Sequence, residues 1–66
     1  MNIVVNGQAR AVESGATVLD LLDSLGFQPE GTVVERNADI LERVRFGETV
    51  LAEGDTLEVI RFVGGG

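Results

Sequence analysis

The sequence predicts an α+β domain in which one main helix packs across one face of a mixed sheet of four to five strands. Three stretches carry that prediction. Residues 2–6 (N-I-V-V-N) are a short β-rich run ending in Asn6-Gly7, a dipeptide that favours a two-residue hairpin. Residues 17–26 hold one amphipathic stripe with a helix-starting residue before it and a glycine after it. Residues 56–62 alternate as a strand does. A hairpin, a helix and a second set of strands put the helix on one side of a sheet. The first and last strands then lie parallel at its centre, the β-grasp arrangement. Residues 1–62 are expected to form this domain, with residues 63–66 as a flexible C-terminal glycine tail.

In the first strand Ile3 and Val5 share a face by the period of two and are placed in the core. Residues 8–13 return as the second strand, less sharply patterned because alanines interrupt it, with Val12 as its core residue. Ser14, Gly15 and Ala16 break the run. Thr17 is a good N-cap, and Asp20 three residues later gives a short-armed capping box at the positive end of the helix dipole. Val18, Leu21, Leu22 and Leu25 follow at i, i+3, i+4 and i+7, one apolar stripe, while Asp20, Asp23 and Ser24 face water. Gly26 suits the left-handed residue that closes a helix, Phe27 the hydrophobic contact beyond it, and Pro29 opposes continuation.

Residues 32–36 (T-V-V-E-R) form a third strand closed by Asn37-Ala38-Asp39, and Ile40 and Leu41 a very short fourth. Residues 42–51 lack a regular period; a turn of 3₁₀ or short helix is expected there, with Val44, Phe46, Val50 and Leu51 as apolar anchors. Glu53-Gly54-Asp55 is a turn. In the last strand Leu57, Val59, Arg61 and Val63 point one way and Glu58, Ile60 and Phe62 the other. The helix covers only one face. If Leu57 and Val59 look inward, Ile60 and Phe62 sit on the open face, where an exposed aliphatic-aromatic pair suggests a partner-docking patch. Arg61 lies near the sheet end, placed to pair with an acid of this chain or of a partner.

Composition narrows the function. The 66 residues include no cysteine and no histidine, only two serines and no tyrosine. Disulfides, thiolate metal sites and the commonest general base are therefore excluded. A self-contained hydrolase or metalloenzyme is not expected, and no catalytic, cofactor-binding or metal-binding residue is assigned. Five basic residues against 11 acidic ones give a net charge of −6. That balance opposes nucleic-acid binding, whose phosphates call for a basic face. No run has the length of a membrane span and no signal peptide opens the chain, so a cytoplasmic protein, monomeric when free, is expected.

The chemistry is expected at Phe62-Val63-Gly64-Gly65-Gly66. A carboxylate is a poor electrophile and becomes one only after activation, for example as an acyl adenylate, which requires ATP and another enzyme. To reach such a site the terminus must thread a channel. Gly64 and Gly65, without Cβ, let the backbone pass and adopt whatever φ the channel demands. Five extended residues reach about 17 Å at roughly 3.4 Å each. Gly66 offers no side chain to hinder attack and no stereocentre to epimerise. With no cysteine present, any sulfur this chain carries is expected on the Gly66 carboxyl group as a thiocarboxylate. The bland alternative is an inert glycine tail on an interaction domain.

Over essentially its whole length the chain resembles the ThiS family of sulfur carriers in thiamine biosynthesis. The resemblance rests on I-V-V-N-G at residues 3–7, T-V-L-D-L-L at residues 17–22 and E-T-V-L at residues 48–51. Most specific is G-D-T-L-E-V-I-R-F-V-G-G-G at residues 54–66. It implies a ubiquitin-like β-grasp fold and a carrier that is a recycled co-substrate rather than an enzyme. Gly65 and Gly66 match the family's diglycine end. The resemblance further implies adenylation of Gly66 by a ubiquitin-activating-type enzyme using ATP, conversion to a thiocarboxylate by a persulfide donor, and consumption of the sulfur by thiazole synthase. Carriers for cysteine synthesis, the molybdopterin-synthase small subunit and ubiquitin-like modifiers are the alternatives. One departure is visible: the family's third strand often ends in Asn-Gly, whereas Asn37 is followed by Ala38, which predicts a differently built turn.

Overall fold

The computed structural model describes residues 1–62. Five strands, one α-helix and one 3₁₀ turn follow in the order β1 (Asn2–Val5), β2 (Gln8–Ala11), α1 (Val18–Leu25), β3 (Thr32–Arg36), β4 (Asp39–Leu41), a 3₁₀ turn (Arg43–Arg45) and β5 (Thr56–Arg61). The sheet order is β2-β1-β5-β3-β4. The last strand is therefore central. It runs parallel to β1, with Val5 opposite Leu57, and antiparallel to β3, with Val34 opposite Val59. This is the expected β-grasp topology.

Both short hairpins turn through left-handed residues. Asn6 and Gly7, at φ 51° and 81°, join β1 to β2, and Val5 faces Gln8. Asn37 and Ala38, at φ 51° and 73°, join β3 to β4, and Arg36 faces Asp39. The alanine thus does not redirect the second turn, contrary to the expectation from its sequence. It adopts the conformation a glycine would, and its Cβ meets the steric cost of left-handed backbone.

Helix α1 has the anticipated ends. The Thr17 hydroxyl accepts from the Asp20 N–H at 3.1 Å, and Asp20 Oδ2 accepts from the Thr17 N–H at 3.0 Å. At the other end Gly26, at φ 77°, donates to Asp23 C=O and Phe27 to Leu22 C=O, the paired bonds of a Schellman motif. The free N–H groups of the first turn find partners far along the chain: Val18 donates to Thr49 C=O and Leu19 to Phe46 C=O, each at 3.0 Å. The irregular stretch after β4 is thereby tied across the start of the helix.

The core lies between α1 and the inner sheet face. It holds Ile3, Val5, Val18, Leu21, Leu22, Val34, Phe46, Leu51, Leu57 and Val59. Leu25 and Val12 are half-buried against it. Val12 lies past the end of β2, which stops at Ala11, and its N–H donates to Met1 C=O at 2.8 Å. Phe46 and Leu51 anchor the irregular stretch as expected, but Val44 and Val50 are exposed. No described helix is long and apolar enough to cross a membrane.

Candidate functional site

Alternation along β5 puts Leu57 and Val59 inside and leaves Ile60 46% and Phe62 63% exposed. Both predicted docking residues therefore stand on the surface, next to the point where the chain leaves the sheet. Ile60 faces Val33 across the ladder, and the Phe62 N–H donates to Gly31 C=O at 2.8 Å, one residue beyond the end of β5. Arg61 lies over the Phe27 ring, 5.1 Å from its centroid, in a cation–π contact that fastens the strand end to the segment after α1. The predicted recognition residues Gly64 and Gly65, the predicted modification site Gly66, and Val63 lie outside the described residues.

Two neighbours enlarge the apolar surface. Ile40, on β4, is 72% exposed and Val44, on the 3₁₀ turn, 82%. Together with Val33, Phe46 and Phe62 they line a shallow groove of about 420 Å³ with Arg43 at its side. The sequence pattern marks Val44 only as an apolar anchor of the irregular stretch and Ile40 only as part of the short fourth strand. Neither residue has a periodic context that would reveal its face; the pairing of Glu35 with Ile40 sets that of Ile40. A larger depression of about 560 Å³, lined by residues including Arg10, Glu13, Ser14, Asp20 and Ser24, shares no residue with this groove. Among the described residues no group of acidic side chains is placed to hold a metal ion.

The start of β5 is fixed by a polar cluster. The Asp55 carboxylate is buried and accepts from Arg36 Nε and the Ala52 N–H, each at 2.9 Å, and from Asn37 Nδ2 at 3.1 Å. Burial, the largest single influence, pushes this carboxyl up. The Ala52 N–H, the Asn37 amide and the hydrogen bond and charge of Arg36 outweigh it and hold Asp55 below its ordinary value. The cluster sits at the opposite end of β5 from Phe62, so its role is to set where the strand begins. What the described part of the site presents is an apolar surface beside a strand end.

The ThiS family profile matches residues 3–66. A thiazole synthase of Magnetococcus marinus is 46% identical over 66 residues, all of this chain and 20% of that protein. The chain thus spans about a fifth of the length of that relative. The sulfur carrier protein ThiS of Bacillus subtilis is 40% identical over 50 residues, 76% of each chain, and that of Escherichia coli 29% identical over the full length of both. The crystal structure of the thiamine biosynthesis protein ThiS from Geobacter metallireducens superposes with a TM-score of 0.83 at 39% identity, covering 100% of both chains. A strand-centred β-grasp, the sequence profile and the full-length structural match agree: the chain belongs to the ThiS family.

Proposed function

We propose that the chain is a sulfur carrier whose Gly66 carboxylate is activated and loaded by partner enzymes, and that it is not itself a catalyst. The observation that carries the reading is the placement of β5. The central strand of the sheet ends at Arg61, shortly before the glycines in sequence, with Ile60 and Phe62 exposed at that end. A domain that docks by this face delivers its terminal segment in the same movement.

In the first step a Gly66 carboxylate oxygen attacks the α-phosphorus of ATP in a ubiquitin-activating-type enzyme, and pyrophosphate leaves. A persulfide sulfur then attacks the acyl carbon, and AMP leaves. A thiol next attacks the donor-side sulfur of the acyl disulfide, freeing the thiocarboxylate while the donor becomes a disulfide. Gly64 and Gly65 pass the channel because no Cβ obstructs it. ATP belongs to the partner's site. Matching segments in two thiazole synthases, of Magnetococcus marinus and Paramagnetospirillum magneticum, support a thiazole synthase as the consumer of the sulfur.

Intact mass spectrometry tests the reading. Incubation with the cognate adenylating enzyme, ATP and a persulfide donor should add about 16 Da, the replacement of oxygen by sulfur. No gain, or a gain that survives removal of Gly66, would refute it.

A further inference from the structure

Asn6 occupies the first position of the β1–β2 turn, yet its side chain belongs to a different ladder. The carboxamide Nδ2 donates to Val59 C=O at 3.2 Å, and the Val59 N–H donates to Oδ1 at 2.8 Å. One donor and one acceptor on one flat amide reproduce what a peptide unit presents to a neighbouring strand. The bonds continue a series in which the Val4 N–H donates to Asp55 C=O and the Asn6 N–H to Leu57 C=O, both at 2.9 Å. Paired residues of the parallel ladder end at Val5 and Leu57. The Asn6 side chain therefore holds β5 two residues further than the β1 backbone does, to the residue before Ile60.

We propose that Asn6 is a positioning residue for the terminal segment, one that fixes the direction in which β5 leaves the sheet. The proposal rests on the carrier reading above. On the β3 side β5 is held as far as Phe62, through the Phe62 N–H and Gly31 C=O. A strand held along one edge can still swing about that edge; a second edge removes the swing. Direction matters because a misplacement of about 1 Å in a reacting group can cost a hundredfold in rate, so even a smaller change in the course of β5 reads out in kcat. Docking through the apolar face does not use Asn6, so its loss separates arrival of the carboxylate from binding of the domain.

Asn37 supplies the control, because it does the same kind of work at the other end of the strand. It opens the β3–β4 turn, its Oδ1 accepts from the Thr56 N–H at 2.9 Å, and its Nδ2 donates to Asp55. Its loss loosens the start of β5 and leaves the exit untouched.

The test uses Asn6→Gly, which keeps the left-handed turn and removes the carboxamide, and Asn6→Asp, which keeps a turn-forming residue but sets a second oxygen against Val59 C=O. Steady-state ATP–pyrophosphate exchange is measured with the cognate adenylating enzyme, well below the melting midpoint of every variant. Both Asn6 variants should lower kcat about tenfold and leave the KM for the carrier within about twofold. Hydrogen exchange at the Val59 amide should quicken in Asn6→Gly, which removes its acceptor, and not in Asn6→Asp, which keeps an oxygen there. Asn37→Gly should lower the melting midpoint with kcat unchanged. Wild-type kcat in Asn6→Gly, or an equal kcat loss in Asn37→Gly, overturns the positioning role and leaves the carrier reading standing. A wild-type chain that supports no exchange overturns the carrier reading, and the positioning role falls with it.

Discussion

Arg36 and Asp55 meet across the start of the central strand, with Nε 2.9 Å from Oδ2, the arginine a third exposed and the carboxylate buried. Because Asn37 and the Ala52 N–H donate to the same carboxylate, replacing Asp55 by asparagine sets an NH2 donor against groups that can only donate. Asp55→Asn should cost about 2 kcal/mol of folding stability near neutral pH. The folded carboxyl lies below its ordinary value of 3.8, so its contribution is fully present above about 3.8 and is lost as pH falls through the lower folded value. Urea melts of wild type and Asp55→Asn from pH 6 to pH 2.5 should show curves that converge at the acid end. A constant gap across that range would mean the ionised form is not what stabilises the turn.

The β3–β4 turn makes a prediction of opposite sign. Ala38 sits at φ 73° in a position where glycine meets no steric penalty. Ala38→Gly should stabilise the domain by about 0.5–1 kcal/mol, the left-handed strain removed less the entropy glycine adds to the unfolded chain. For a domain of this size that is a rise in Tm of roughly 2–8 °C. Calorimetry decides it, and an unchanged or lower Tm would show that the alanine is accommodated without strain.

These two sites mark the boundary of what the sequence reveals. Local patterns were legible: Asn6-Gly7 read as a turn, Thr17 with Asp20 as a capping box, and Leu57 and Val59 as inward against Ile60 outward, because each depends on residues within four positions of one another. Contacts across the chain were not. The carbonyls of Thr49 and Phe46 that finish the start of α1 lie some 30 residues away, and no spacing rule connects them. Val44 and Val50 are apolar but face outward, since a stretch without a period offers no way to tell an anchor from a surface residue. Ala38 misled in another manner: its departure from the family's Asn-Gly ending predicted a changed turn, whereas the hairpin's twist imposed the geometry and the alanine adapted to it. Of the candidate site, the Ile60–Phe62 face was legible and its extension through Ile40 and Val44 was not.

The core prediction is simple. Leu22 is wholly buried in the middle of α1, and a chain of this length has little core to spare. Leu22→Ala should cost about 2–5 kcal/mol, enough to take a large share of the folded population at 37 °C. Loss of less than about 1 kcal/mol in a urea titration would mean the helix repacks over the missing methyls.

The exposed face carries the prediction on which partner binding turns. Phe62→Asp places a charge on a residue already 63% exposed, so folding stability should change by no more than about 0.5 kcal/mol. Binding to the proposed adenylating partner should weaken about 30-fold, the size expected when a central aromatic contact is lost. Ile60→Asp, at the less exposed position opposite Val33, should weaken binding likewise with a somewhat larger effect on folding. Ile40→Asp and Val44→Asp then map how far the interface reaches along the groove, because both side chains are exposed and neither contributes to the core. Calorimetric titration of each variant against the enzyme, paired with a urea melt, separates the two effects. If Phe62→Asp binds as wild type does, the groove is not the docking face and the domain must present its terminal segment from another surface. If only Phe62 and Ile60 matter, the interface is confined to the end of β5. Weakening at all four positions means that the partner covers the outer side of β3, β4 and the 3₁₀ turn together, and the exposure of Val44 then has its explanation in binding rather than in folding.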